Sequence, residues 1–119
     1  MRLDHVNIAT TDLDGAKDFF VRILGLDVGE RPPFPFPGFW LYAGDQPIVH
    51  LVGRASKPDS DSGSIDHVAF RGDDLDQLVK RLRDAGVEHR IAVVPETGRR
   101  QVFFRGPDDV KIEVGFPPA

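Results

Sequence analysis

The chain states one pattern twice. Residue n matches residue n + 62 through much of the first half: Leu3-Asp4-His5-Val6 aligns with Ile65-Asp66-His67-Val68, and Asp12-Leu13-Asp14 with Asp74-Leu75-Asp76. With one residue of slippage, Phe39-Trp40-Leu41 meets Val102-Phe103-Phe104, and Val49-His50-Leu51 meets Ile112-Glu113-Val114. Identity is low, yet polar residues inside apolar strands recur at matching places. Such a repeat restricts the fold to two copies of one supersecondary unit packed together. At 119 residues the chain has the size of a single common domain. One domain over 1–119 is therefore expected, built of modules 1–56 and 65–119 joined by a linker at 57–64.

Each copy reads as strand, helix, strand, strand, strand, which predicts an α+β fold. Leu3 to Ala9 alternates and is rich in β-branched residues, as a strand should be. Asp12 is placed to cap a helix whose apolar stripe is Ala16, Phe19, Phe20, Ile23 and Leu24, with Gly25 to end it. Strands follow at 26–30, 39–43 and 47–53, the last two parted by the turn signal Gly44-Asp45. The second copy predicts a strand at 65–71 and an N-cap at Asp73 or Asp74. Its stripe is Leu75, Leu78, Val79 and Leu82, stopped by Gly86, with strands near 89–94, 101–105 and 110–115. The linker is polar and aperiodic. Arg31 to Gly38 holds four prolines and two phenylalanines, so it is a stiff loop, packed on the core or held as an apolar flap over a pocket.

Composition narrows the function. No apolar run approaches the roughly 18 residues that cross a bilayer, and the first ten residues carry charges where a secretory signal would be apolar. A cytoplasmic protein with no membrane partner is the expectation. The absence of cysteine excludes a disulfide framework, thiolate ligands and a cysteine nucleophile. A net charge of −4 lacks the basic excess of a nucleic-acid binder, so no nucleic-acid partner is expected.

Alternation along the strands sends side chains to opposite faces. Val6 and Ile8, like Val68 and Phe70, should meet the helices, which leaves His5 and His67 on the other face. Val49 and Leu51 match Ile112 and Val114 in kind, so His50 and Glu113 also point away from the helices. Three imidazoles and a carboxylate at repeat-equivalent positions suit one divalent first-row metal, Fe, Mn, Co, Ni or Zn. Neutral histidines are needed for that, so affinity should fall below about pH 6. Trp40 and Tyr42, matched by Phe103 and Arg105, are candidates to line a cup for a small-molecule substrate. Arg99 and Arg100 could clamp a carboxylate or phosphate, or form an exposed basic turn.

The segments LDHVNIATTDLDGAKDFFVRILGLDVGE, IDHVAFRGDDLDQLVKRLRDAGVE and QVFFRGPDDVKIEV resemble the vicinal oxygen chelate superfamily, which includes glyoxalase I, methylmalonyl-CoA epimerase, extradiol dioxygenases and the fosfomycin and bleomycin resistance proteins. The resemblance covers nearly the whole chain. It implies a pair of βαβββ modules forming a partly open mixed-sheet barrel around a metal, and members that pair as homodimers. The family's first-strand ligands fall on His5 and His67, and its final carboxylate ligand on Glu113. The remaining family position falls on His50, which is either a fourth ligand or an acid–base group beside the metal; glyoxalases and the epimerase carry Glu or Gln there. The dioxygenase signature is incomplete: no histidine lies between Val94 and Gln101, Phe103 replaces its tyrosine, and Gly106-Pro107-Asp108-Asp109 replaces Asp-Pro-x-Gly.

The activity so implied is a lyase or isomerase reaction on a small substrate that chelates the metal through adjacent oxygens, the cation stabilising an enediolate-like anion. His50 and Glu113 are its candidate catalytic residues. An Fe(II) oxygenase of extradiol type is one alternative; a non-catalytic small-molecule binding or resistance protein is another.

Overall fold

The computed structural model describes residues 1–56, 63–106 and 110–119. The expected linker's residues 57–62, and Pro107 to Asp109, lie outside the described residues. The first copy folds as β1 (Arg2–Thr10), α1 (Leu13–Leu24), β2 (Asp27–Gly29), β3 (Gly38–Ala43) and β4 (Gln46–Gly53). The second follows as β5 (Ile65–Arg71), α2 (Leu75–Asp84), β6 (His89–Val93), β7 (Arg100–Arg105) and β8 (Lys111–Phe116). Among the described residues no helix is long and apolar enough to cross a membrane.

All eight strands join one mixed sheet in the order β2-β3-β4-β1-β5-β8-β7-β6. The order is symmetric about the antiparallel β1–β5 pair. In each half the first and last strands run parallel, β1 with β4 and β5 with β8, as a helical crossover between them allows. The outermost strands, β2 and β6, do not pair with each other, so the barrel stays open.

The helix boundaries follow from local chemistry. Asp12 accepts a hydrogen bond from the Gly15 backbone N–H and Asp74 from that of Gln77, both at 3.0 Å, satisfying first-turn donors that have no partner inside a helix. Gly25 ends α1 at φ 68°, a left-handed conformation that glycine adopts without steric cost.

Each helix covers its own module. Ile8, Leu13, Ala16, Phe20 and Phe39 pack on buried Leu26, Leu41, Val49 and Leu51. The second core gathers Leu82, Val102, Val114 and Phe116 under Phe70, Leu75 and Leu78. The α1 stripe divides, however. Phe19, Ile23 and Leu24 are 57–66% exposed, against the expectation that all five apolar residues face the core. Two small cores, each served by one helix, use only the Leu13–Ala16–Phe20 edge of α1.

Candidate metal centre

The face opposite the helices is the more buried side of the central strands: His5, Asn7 and Ala9 are buried, whereas Val6 and Ile8 are only partly so. His5 comes from β1, His67 from β5 and Glu113 from β8. One ligand atom from each lies within 4.8 Å of the other two, and all three residues are buried. The two Nε2 atoms are 3.2 Å apart. Glu113 Oε1 is 3.4 Å from His67 Nε2, and Oε2 is 3.9 Å from His5 Nε2.

Two β-bulges aim these rings. Leu3 pairs with Phe70 and His5 with Ala69, so Asp4 is an extra residue in β1; Asn7 pairs with His67 and Ile8 with Ile65, so Asp66 is extra in β5. The bulges are related by the same symmetry as the repeat. A bulge breaks the alternation and re-aims a side chain, which brings each aspartate onto the face of the histidine that follows it. Asp4 Oδ2 accepts from His5 Nδ1 at 2.7 Å, and Asp66 Oδ2 from His67 Nδ1 at 2.8 Å. Carboxylates held this way fix the proton on Nδ1 and leave a lone pair on Nε2. Arg71 pairs with Asp4 at 2.9 Å and Lys111 with Asp66 at 3.4 Å. The hydrogen bond from His67, aided by Lys111, pulls Asp66 down to a pKa of about 2 against the opposing effect of burial. Burial would raise Asp4, but His5 and Arg71 outweigh it and hold it low.

Two imidazole lone pairs and a carboxylate thus converge without a donor between the rings, an arrangement that calls for a cation. Two nitrogens each about 2.1 Å from one ion and roughly 90–109° apart would lie about 3.0–3.4 Å from each other, which matches the Nε2 separation. In the metal-free state a proton takes part of that place. Burial works against a charge on His67, but Asp66 and Glu113 together raise its pKa. Gln101 donates to Glu113 Oε1 at 3.2 Å and steadies the carboxylate.

His50 is placed differently from the expected fourth ligand. Its ring stacks on His5 on one side, at 3.5 Å between centroids, and on Trp40 on the other, at 4.0 Å. Its Nε2 donates to the Pro47 carbonyl at 3.1 Å, and it does not join the cluster of donor atoms. Burial first, and then the neighbouring His5, lower its pKa to about 2, so the ring is neutral.

An open cavity of about 490 Å³ surrounds the cluster. Trp40 and Phe103 line it. Tyr42 and Arg105, expected beside them, do not. The extra residue at the β3–β4 register shift is Ile48 of β4, so Tyr42 keeps its place in the alternation of β3. Its ring instead lies over Gly29 of β2, and its hydroxyl donates to the Glu30 carbonyl at 2.5 Å. Arg105 ends β7 as an exposed residue. The proline loop lends Phe34 and Phe36 to the cavity wall, stacked 5.1 Å apart, rather than to the core. Arg99 and Arg100 also line it. Asn7, flanked in register by His50 and His67, is buried with its Oδ1 unpartnered. The sequence signal for Asp4 and Asp66 was the repeated Asp-His itself; for Asn7 it was the face shared with His5.

An open eight-stranded sheet of two βαβββ units, with a His-His-Glu cluster at their junction, defines the class. Residues 2–114 match the Glyoxalase/Bleomycin resistance protein/Dioxygenase superfamily, and the chain belongs to it. It is 28% identical over 120 residues to Glyoxylase I 4 of Arabidopsis thaliana, covering 94% of this chain and 68% of that protein. Methylmalonyl-CoA epimerase from Mycobacterium tuberculosis superposes with a TM-score of 0.77 at 25% identity, over 99% of this chain and 89% of that one. The Mn(II)-bound glyoxalase from Novosphingobium aromaticivorans gives 0.75 at 25% identity, over 99% of this chain but 39% of its own.

Proposed function

We propose that this protein is a divalent-metal-dependent enzyme of isomerase type, moving a proton on a small substrate that presents two adjacent oxygens. The observation that carries the reading is the convergence of the His5, His67 and Glu113 donor atoms on one point in an open cavity. His5, His67 and Glu113 would hold the metal, with Asp4 and Asp66 orienting the two rings. The ion, when bound, supplies positive charge that stabilises an enolate-like anion. Three protein donors leave room for substrate oxygens.

The remaining tasks belong to the cavity wall. Trp40, Phe103 and the Phe34–Phe36 pair exclude water from the substrate. His50, with its Nε2 proton tied to Pro47, keeps a neutral Nδ1 as a hydrogen-bond acceptor toward the substrate. Asn7 Oδ1 offers a second acceptor for a substrate hydroxyl. The relatives that are epimerases favour an isomerase over a lyase. We place the enzyme in the cytoplasm as a homodimer, the exposed Phe19, Ile23 and Leu24 of α1 being apolar surface that a second copy would cover.

The test has two parts. Metal analysis of protein purified without chelator should give one divalent ion per chain, lost in His5→Ala and Glu113→Ala. Metal-loaded enzyme incubated with methylmalonyl-CoA in D2O should incorporate deuterium at the α-carbon; related acyl-CoA esters and α-hydroxy ketones extend the panel. Metal-free protein that still binds aromatic ligands would overturn the reading in favour of a binding protein. The two-histidine, one-carboxylate set is also that of Fe(II) oxygenases. Iron as the copurifying metal, with oxygen uptake on a catechol, would select that second reading.

A further inference from the structure

Seven arginine and lysine side chains line the cavity against three carboxylates, Asp4, Asp66 and Glu113, although the chain as a whole carries −4. Most of that positive charge already has an occupation. Arg31 donates to the Phe36 carbonyl, Arg100 to the Pro117 carbonyl, Arg90 lies 4.6 Å over the Phe103 ring, and Lys111 pairs with Asp66. Arg99 is different. Among the described residues nothing hydrogen-bonds its guanidinium. The turn that carries it is firmly tied: its backbone N–H donates to Thr97 Oγ1, and its carbonyl accepts from the Val94 N–H at 2.8 Å.

The position of Arg99 follows from Gly115. A Cβ at Gly115 would sit 3.8 Å from Arg99 Nη2, so the guanidinium lies over that bare stretch of β8. Gly115 pairs in register with Arg71 of β5. Glu113 is two residues earlier in β8, on the same face and about 7 Å away. Arg71 and Arg99 therefore flank one spot immediately beside the metal donors, and Arg71 commits only one nitrogen, Nη2, to Asp4. Burial, and then the charge of Arg71, make the Arg99 cation harder to maintain, and the charges of Asp4 and Glu113 offset this only in part. Two like charges held together in this way are relieved by an anion between them, and guanidinium groups match carboxylate and phosphate oxygens geometrically.

We infer that Arg71 and Arg99 form an oxyanion subsite beside the metal centre, at Gly115, one same-face position along β8 from the ligand Glu113, so that the substrate carries a carboxylate or phosphate there. The inference rests on the reading proposed above for the same cavity, and it narrows the substrate class to small anionic molecules with a separate chelating oxygen pair.

Two measurements separate the subsite from the metal. Inorganic phosphate, titrated calorimetrically into chelator-treated protein, should bind in the millimolar range and at least tenfold more weakly in Arg99→Gln. Arg22→Gln, an exposed arginine on α1, should leave it unchanged. Arg71→Gln should weaken phosphate similarly, but it also breaks the pair with Asp4, so Arg99→Gln carries the test. In Mn(II)-loaded protein, read by water-proton relaxation, malate and 3-phosphoglycerate should displace water at least tenfold below the concentration at which lactate does. Arg99→Gln should abolish that advantage, and the probe that loses more identifies carboxylate or phosphate as the natural group. Absence of phosphate binding, or phosphate binding untouched by Arg99→Gln, overturns the subsite whatever the metal does. Failure to bind Mn(II) with Arg99-dependent phosphate binding intact supports the subsite and overturns the metal reading alone.

Discussion

The imidazole of His50 lies flat on that of His5, with centroids 3.5 Å apart and planes 16° from parallel. Trp40 closes the other side at 4.0 Å, so the His5 ring is clamped by a three-membered stack as well as by Asp4. If His50 acts on the metal through this contact, a flat apolar ring can replace it. His50→Phe should keep metal affinity within a few-fold, whereas His50→Ala should lower it about tenfold or more, as loss of a group orienting a ligand does. Competition with a chromophoric chelator measures both. Equal, severe loss in the two variants would instead make His50 a ligand.

The two aspartates carry a related prediction. Asp4→Asn and Asp66→Asn keep side-chain volume but remove the charge that fixes Nδ1–H on each histidine. Each should weaken metal binding about 10–100-fold and also lower the metal-free thermal midpoint, because Asp4 pairs with Arg71 and Asp66 with Lys111. The double variant should lose more than either alone, because each acts on a different ring. Unchanged affinity in both would show that packing alone aims the histidines.

These contributions differ in how visible they are before folding. The duplication and the period-2 pattern make β1, β5 and β8 readable, and with them the side of the sheet that holds His5, His67 and Glu113. Asp4 and Asp66 escape that reasoning because strict alternation sends them to the opposite face; only a bulge, which has no reliable signature in one sequence, turns them inward. Tyr42 fails for another cause: bare Gly29 lets its ring lie over β2, where the Glu30 carbonyl holds its hydroxyl, and spacing encodes neither contact. His50 is on the expected face, but stacking between two rings and a carbonyl acceptor set its orientation, and neither is encoded in spacing. Phe19, Ile23 and Leu24 obey helical periodicity and still face outward, since how much of a stripe is covered depends on the size of the core beneath it.

The buried, neutral state of His50 has a consequence for stability in chelator. Its folded pKa, about 2, lies below the value of about 6.5 it has when unfolded. Stability from keeping it neutral is fully present above pH 6.5 and is lost as pH falls toward 2, by up to about 1.4 kcal/mol per pH unit. His67 works oppositely: its raised pKa stabilises the fold below the unfolded value and loses that contribution as pH rises through the folded one. Wild type alone would mix the two. Comparing urea midpoints of wild type and His50→Gln isolates His50, and the difference should shift by no more than about 2 kcal/mol between pH 6.5 and pH 5, in the direction that disfavours wild type in acid. A difference that does not change with pH would show that His50 is not kept neutral by the fold.

The divided helix stripe separates what holds the fold from what waits at its surface. Leu41 and Val102 are fully buried, one in each core. Leu41→Ala should cost about 2–5 kcal/mol, because the two small cores have few neighbours that can collapse into the gap. Phe19 and Ile23 are 57% and 66% exposed, so replacing them with Ser and Lys removes little packing and should change the urea midpoint only slightly. The same pair of substitutions should convert a dimer to a monomer in sedimentation velocity if α1 is where two copies meet. A Phe19→Ser, Ile23→Lys protein that stays dimeric places that interface elsewhere, and one that unfolds would mean the exposed half of α1 contributes to the core after all.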